Sequence, residues 1–289
     1  MASSTFNGPG RISKWLGVPA PFDPQHTLVT SPFLPPLALA ALRMTLAAYA
    51  LFFVVFQLTW DALILQNANT FFSYFTHLSY IGLLAYFWAA AVQTLVYALG
   101  GGRKGYPLQR WHCSLQFLHV LLYSTITTYP IIVTIVFWSL LADPSTLSTR
   151  FNAWTNISQH ALNTAFALFE IVLTHAGPSP WMHLPFCIVL LGCYLGVAYI
   201  THATQGFYTY SFLDPTQERA RLAAYIVAIA VGECIVFALV RGLCVLREYY
   251  VRRRHLEGGR TPSESSEADD PEKLDDWEEV ERPGTPTAI

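Results

Sequence analysis

Charge is what this sequence has least of. Asp, Glu, Lys and Arg together make up 12% of the 289 residues, about half the share of an ordinary soluble domain. That excludes a chain presenting a conventional hydrated surface all round. Cysteine is also sparse. Cys113, Cys187, Cys193, Cys234 and Cys244 lie in or beside apolar runs and form no C-x-x-C pair. They read as small apolar packers, not as a disulfide framework or a thiolate metal site. The first thirty residues hold no apolar h-region. No cleavable signal peptide is expected, so the first apolar run must act as its own insertion signal. There is no internal repeat. No nucleic-acid partner is expected.

Apolar side chain is abundant instead, at 53% of the chain. A helix needs about 20 predominantly apolar residues to cross the hydrocarbon of a bilayer, and six stretches are long enough. They run at about 37–58, 72–99, 115–141, 154–174, 184–204 and 222–246. Pro35-Pro36 precedes the first and Gly100-Gly101-Gly102 closes the second. Pro130 falls inside the third, which a spanning helix tolerates when its neighbours satisfy the freed backbone groups. Gly192 and Gly196 form a small-xxx-small step where another helix could approach. The expected fold is an all-α polytopic membrane bundle of about six transmembrane helices. It comprises an N-terminal lead (1–36), the bundle itself (37–246), and a basic juxtamembrane stretch followed by an acidic tail (247–289).

Orientation follows from loop charge. One alternating set of segments carries Arg11, Lys14, Arg103, Lys104, Arg110, Arg247, Arg252, Arg253 and Arg254; the other carries Arg150, Arg219 and Arg221. This places both termini in the cytosol. From Leu256 onward there are eleven acids and three bases. With so few aliphatic residues, that tail is expected to be disordered. Thr261 and Thr285 precede prolines there and are candidate phosphorylation sites. The absence of a transit signal leaves the endoplasmic reticulum or the plasma membrane as the expected address.

Inside a bilayer the polar residues are the informative ones, because each costs free energy unless it meets a partner or water. In the fourth stretch Asn156, His160, Asn163, Glu170 and Thr174 fall within about 40° of one line down an ideal helix. In the third, His112, Gln116, His119, Tyr123 and Thr127 repeat the pattern. Thr76, His77, His160 and His202 belong to the extracytoplasmic leaflet on this topology. A hydroxyl among imidazoles supplies the parts of a nucleophile with a general base. A helical threonine, however, more often bonds the carbonyl four residues back. A buried histidine more often pairs helices than catalyses, and Glu170 reads more readily as a paired structural acid than as a proton relay.

Three segments carry a resemblance. They are Tyr74-Phe75-Thr76-His77-Leu78-Ser79, then Asn156-Ile157-Ser158-Gln159-His160 followed ten residues later by Glu170, and the run His202 to Asp214 containing Gly206-Phe207-Tyr208 and Phe212-Leu213-Asp214. In this order and at these separations the chain, over about residues 40–245, resembles the androgen-induced / androgen-dependent (FAR-17a-like) family of multi-pass membrane proteins. The resemblance implies an intramembrane hydrolase of fatty acid esters of hydroxy fatty acids, or similar lipid esters, with Thr76 as nucleophile and His160 as base. It implies supporting or substrate-binding roles for Asn156 and His202. Asn163, Tyr80 and Glu170 are further candidates, and any of Asn156, Asn163, Tyr80 and His202 could be the oxyanion donor. No cofactor is required, and the expected partner is a lipid ester entering from the bilayer. His77 directly after Thr76 departs from the family pattern. So does a shorter spacing around Tyr129-Pro130 and Phe137-Trp138. Two other readings compete: a metal hydrolase using His77, His160 and His202, which lacks a tight ligand spacing, and a non-enzymatic lipid-binding, transport or scaffold protein.

Overall fold

A proline that lacks an amide hydrogen fits the first turn of a helix, where that hydrogen would have no partner, and Pro36 begins the first long helix in this way. In the computed structural model, which describes residues 10–102, 104–216 and 219–258, all regular structure is helical. A short α1 (Gly10–Trp15) precedes α2 (Pro36–Trp60), α3 (Phe75–Leu99), α4 (Cys113–Val136), α5 (Arg150–Ile157), α6 (Asn163–Leu173), α7 (His183–Gln205) and α8 (Arg219–Gly258). Helices α2 and α4 run on into wider π-turns at Asp61–Leu65 and Phe137–Leu141, and a third π-turn, Ser158–Leu162, joins α5 to α6. The acidic stretch expected to be disordered, with Thr261 and Thr285, lies outside the described residues, as does Arg103.

Five helical runs are long and apolar enough to cross a membrane: 36–65, 75–99, 113–141, 183–205 and 219–254. The sixth expected span is also helical, from Arg150 to Leu173 with its π-turn, but it is too polar to qualify on composition. The reason is packing. This run lies against α3 and α4, so its polar groups meet protein where a lipid-facing helix would meet hydrocarbon. Outward faces elsewhere are apolar. Phe52, Val55, Val189, Ile200 and Leu239 are all more than half exposed, as expected of side chains that face lipid in an integral membrane protein.

The core is aromatic and small-residue packing between α2, α3, α4 and α6. Ala47 and Ala50 let α2 approach Tyr80, Leu83, Tyr86 and Phe87 of α3, and Phe166 closes the cluster from α6. Within it lies a fully buried ion pair. Arg43 Nε and Nη2 donate to the two Glu170 oxygens at 2.8 and 2.7 Å, Arg43 Nη1 donates to Thr94 and to the Leu28 carbonyl, and Tyr86 donates to Glu170 at 3.0 Å. The expected stripe on the third span faces this core in part: His119 stacks on Tyr86, and Tyr123 is buried beside it. His112, by contrast, is exposed at the start of α4.

Residues 16–34 of the N-terminal lead fold over one end of the bundle. Val18, Phe22 and Val29 pack on Tyr106, Leu108 and Val120. Asp23 accepts from Thr27, Leu28 and Tyr106, and burial next to that carboxylate pushes the Tyr106 phenol well above its ordinary range. Gly17, at φ +74°, crosses so close to Pro180 that a Cβ there would lie 2.9 Å from the ring. The small-xxx-small step at Gly192 and Gly196 differs from expectation. A Cβ at either position would meet nothing within 4 Å, so no helix among the described residues packs on it.

Candidate functional site

Thr76 occupies the first turn of α3, just after the extended Tyr74 that starts the helix. Position decides its chemistry. Several helical threonines elsewhere return their proton to the carbonyl four residues back: Thr45 to Ala41, Thr59 to Val55, Thr94 to Ala90 and Thr128 to Ser124. Four residues before Thr76 the chain is in a 3-10 turn outside α3, and no such back-bond forms. The hydroxyl is buried (9% exposed) and free of that competitor. As in any first turn, nearby backbone N–H groups also lack intrahelical acceptors.

His160 comes from the π-turn between α5 and α6. Its ring lies flat on Phe137, with centroids 3.5 Å apart and planes 1° from parallel, and Phe137 belongs to the π-turn that ends α4. Trp138 from that same turn donates through Nε1 to the His160 carbonyl at 2.8 Å. One π-turn thus carries the imidazole and a second packs on its ring and backbone, and such turns recur at functional sites. The ring is 5% exposed, and its Nδ1 is buried without a hydrogen-bond partner.

Thr76 and His160 line the same cavity, of about 220 Å3, together with Phe75, Val133, Phe137, Leu191, Leu195, Phe212 and Ile229 among others. Among the described residues only four polar side chains reach its wall: Thr76, His160, Tyr194 and Tyr210. A largely apolar cavity with a few convergent polar groups is the usual form of a small-molecule or lipid site. Its far wall is built from α7 and α8 (Ile188, Leu191, Gly192, Ile226 and Ile229).

Tyr210 and Tyr194 did not stand out in the sequence. Tyr210 lies in the loop after α7, inside the aromatic run His202 to Asp214, and its phenol interacts with both the hydroxyl and the backbone of Thr76. Tyr194, on α7, donates to the Ser73 carbonyl at 3.1 Å, has the Thr209 hydroxyl 3.2 Å away, and contacts Tyr210. Only the density of aromatics in that run hinted at a wall.

The remaining candidates lie elsewhere. Asn156 donates to the carbonyls of Thr146 and Asn152 and so ties down the loop before α5. In that loop, hydrogen bonds from Ser145 and Thr146 hold the Asp143 carboxyl below its usual range. Asn163 donates to the Pro130 carbonyl and accepts from Thr134, which binds α6 to the proline-containing part of α4. Glu170 is held by Arg43. Tyr80 packs on Phe53 with its hydroxyl unpartnered. His202 stacks on Tyr208 at 3.9 Å. None of these five reaches the cavity wall. His77, whose Nδ1 donates to the Phe71 carbonyl at 2.6 Å, is an electrostatic neighbour of His160. No three His, Cys, Asp or Glu side chains among the described residues gather as a metal-binding group, so His77, His160 and His202 do not form a ligand set.

The arrangement supplies a hydroxyl, an imidazole and two phenols at the wall of an apolar cavity, the parts an acyl transfer between lipid and protein needs. No match is found among curated proteins or among solved structures. The family model described as FAR-17a/AIG1-like protein matches residues 38–244. That span takes in α2 through most of α8 and every residue of the cavity, and the chain belongs to the FAR-17a/AIG1-like family.

Proposed function

We propose that the protein is an intramembrane threonine hydrolase that cleaves lipid esters, fatty acid esters of hydroxy fatty acids or close relatives. The observation that carries this reading is a shared cavity wall: Thr76, free of the usual threonine back-bond, and His160, with a buried unpartnered nitrogen, face one apolar space. The termini lie on the cytosolic side, and the cavity is in the opposite leaflet, of the endoplasmic reticulum or plasma membrane.

An ester enters laterally with its chains against the apolar walls. The Thr76 oxygen attacks the ester carbonyl carbon as His160 takes the hydroxyl proton, and the carbonyl π electrons move onto oxygen. Collapse of this intermediate breaks the bond to the alcohol, which leaves with the proton from His160, and an acyl-threonine remains. Water then attacks the acyl carbon, gives a proton to His160, and the second collapse releases the fatty acid and returns the proton to Thr76. Each step balances with ester and water alone.

The test is labelling of membrane-embedded protein by a fluorophosphonate, in the wild type and in Thr76→Ala and His160→Ala. Labelling of the wild type that disappears in both variants, at equal expression, is the expected result. A wild type that stays unlabelled beside a reactive control hydrolase sinks the reading and leaves a lipid-binding role for the cavity.

A further inference from the structure

An acyl-transfer site needs a donor for the oxyanion as well as a nucleophile and a base. A donor aimed at the developing charge in a water-poor site commonly supplies a factor of about 10² to 10³ in kcat. The wall of this cavity narrows the choice. Among the described residues it carries four polar side chains: Thr76, His160, Tyr194 and Tyr210. Thr76 and His160 are used by the attack and the proton transfer. Tyr194 has a single proton, and the Ser73 carbonyl 3.1 Å away can only accept it. Tyr210 remains. It shares the cavity wall with Thr76, and its phenol interacts with that residue's hydroxyl and backbone.

Resting on the hydrolase reading above, we propose that Tyr210 is a catalytic residue, the oxyanion donor, acting with a backbone N–H of the first turn of α3. The phenol is placed by three contacts. Its ring stacks on Phe212 with planes 1° apart, packs edge-on against Tyr74, and lies 6.2 Å from the Tyr194 ring. A donor fixed before reaction needs no reorganisation as charge develops, which is what makes such groups effective. The placement also gives the aromatic run after α7 a purpose. It spans the gap between the end of α7 and the start of α3, where Thr201 and Tyr194 are bonded to Ser73, and so delivers one hydroxyl to Thr76.

Tyr210→Phe removes one oxygen and keeps the ring. The experiment measures hydrolysis of p-nitrophenyl octanoate and the rate of fluorophosphonate labelling by the purified full chain, for wild type, Thr76→Ala and Tyr210→Phe, with a melting curve for each. Fluorophosphonate attack by Thr76 expels fluoride and also places charge on an oxygen, so it calls on the same donor. The expected result is a fall of about 10²- to 10³-fold in kcat for Tyr210→Phe, with KM changed by less than about threefold, slower labelling, and an unchanged melting temperature. Turnover by Tyr210→Phe equal to wild type overturns the assignment, as does a raised KM at constant kcat or a loss of activity matched by a loss of melting temperature. In those cases Thr76→Ala is still inactive and the hydrolase reading stands. A wild type that neither hydrolyses the ester nor labels, or a Thr76→Ala that stays active, overturns both.

Discussion

Two buried polar regions sit in this bundle, and they treat hydrogen bonding in opposite ways. Around Arg43 and Glu170 nearly every group is answered: the guanidinium reaches both carboxylate oxygens, Thr94 and the Leu28 carbonyl, and Tyr86 completes the carboxylate. At the cavity wall, at one core position and on α8, groups are left open. His160 Nδ1, the Tyr80 hydroxyl and both oxygens of Glu233 are buried with no hydrogen-bond partner. A buried polar group without a partner costs roughly 1–3 kcal/mol. The first region stabilises the fold, and of the open groups only His160 stands at the cavity wall, where a ligand would meet it. The helices behave alike: 61% of the apolar window of α4 is buried, against 17% for α7 and 22% for α8. The cavity lies where tightly packed helices meet these loosely packed ones.

The sharpest way to break the contrast is at the nucleophile. Thr76→Ala should lower ester turnover by about a thousandfold or more with little change in melting temperature, because the hydroxyl makes no helical back-bond to lose. If the two regions are alike after all, the variant will instead be unstable and keep proportionate activity.

Next in size is the ion pair. Replacing Glu170 by Leu alone strands Arg43 in the core and should destabilise the protein by about 3–5 kcal/mol, read as a fall in melting temperature in detergent. Combining Glu170→Leu with Arg43→Met should recover most of that loss, since a buried pair exchanged for apolar groups is often close to neutral. Equal melting of the single and double variants would show that the pair is not the unit of stability.

Glu233 tests the open region from the other side. It is fully buried on α8, and the nearby Thr128 hydroxyl donates to the Ser124 carbonyl at 3.0 Å. Glu233→Leu should therefore stabilise the bundle by about 1–3 kcal/mol, the reverse of Glu170→Leu. A destabilised variant would reveal a partner for this carboxyl. The smallest effect is expected at Trp138→Phe, which loses the bond to the His160 carbonyl. The cost is about 1 kcal/mol, equivalent to a roughly fivefold fall in turnover if the bond serves to place the ring.

Hydropathy made most of the helices legible, because twenty apolar residues have few uses other than a bilayer. It is least clear at residues 150–173, a helical run too polar to qualify as a span on composition, whose polar side chains pack on α3 and α4 while Ile157, Leu168 and Val172 stay exposed. The expected polar stripe there illustrates the limit. Asn156, His160, Asn163 and Glu170 line up at 100° per residue, but the π-turn at Ser158–Leu162 winds fewer degrees per residue than an α-helix. Residues before and after it leave a common line. Asn156 turns to the 142–149 loop, His160 to the cavity, Asn163 to α4 and Glu170 to α2. Arg43 also escaped notice, because a single cation in an apolar run does not announce the partner it will meet 127 positions later.

The sequence by itself determined that this chain is a helical membrane protein, where most of its spans run, and which family motifs it carries. Those properties depend on composition and local spacing, which a bilayer reads directly through the cost of burying charge and unpaired backbone. Tertiary structure decided which polar residues pair and which stay open. It set Arg43 against Glu170, freed the Thr76 hydroxyl at a helix start, turned His160 through a π-turn, and brought Tyr210 to Thr76 from a distant loop. Those outcomes depend on the order of helices around the bundle and on local changes of winding, and neither is encoded in the periodicity of any single segment.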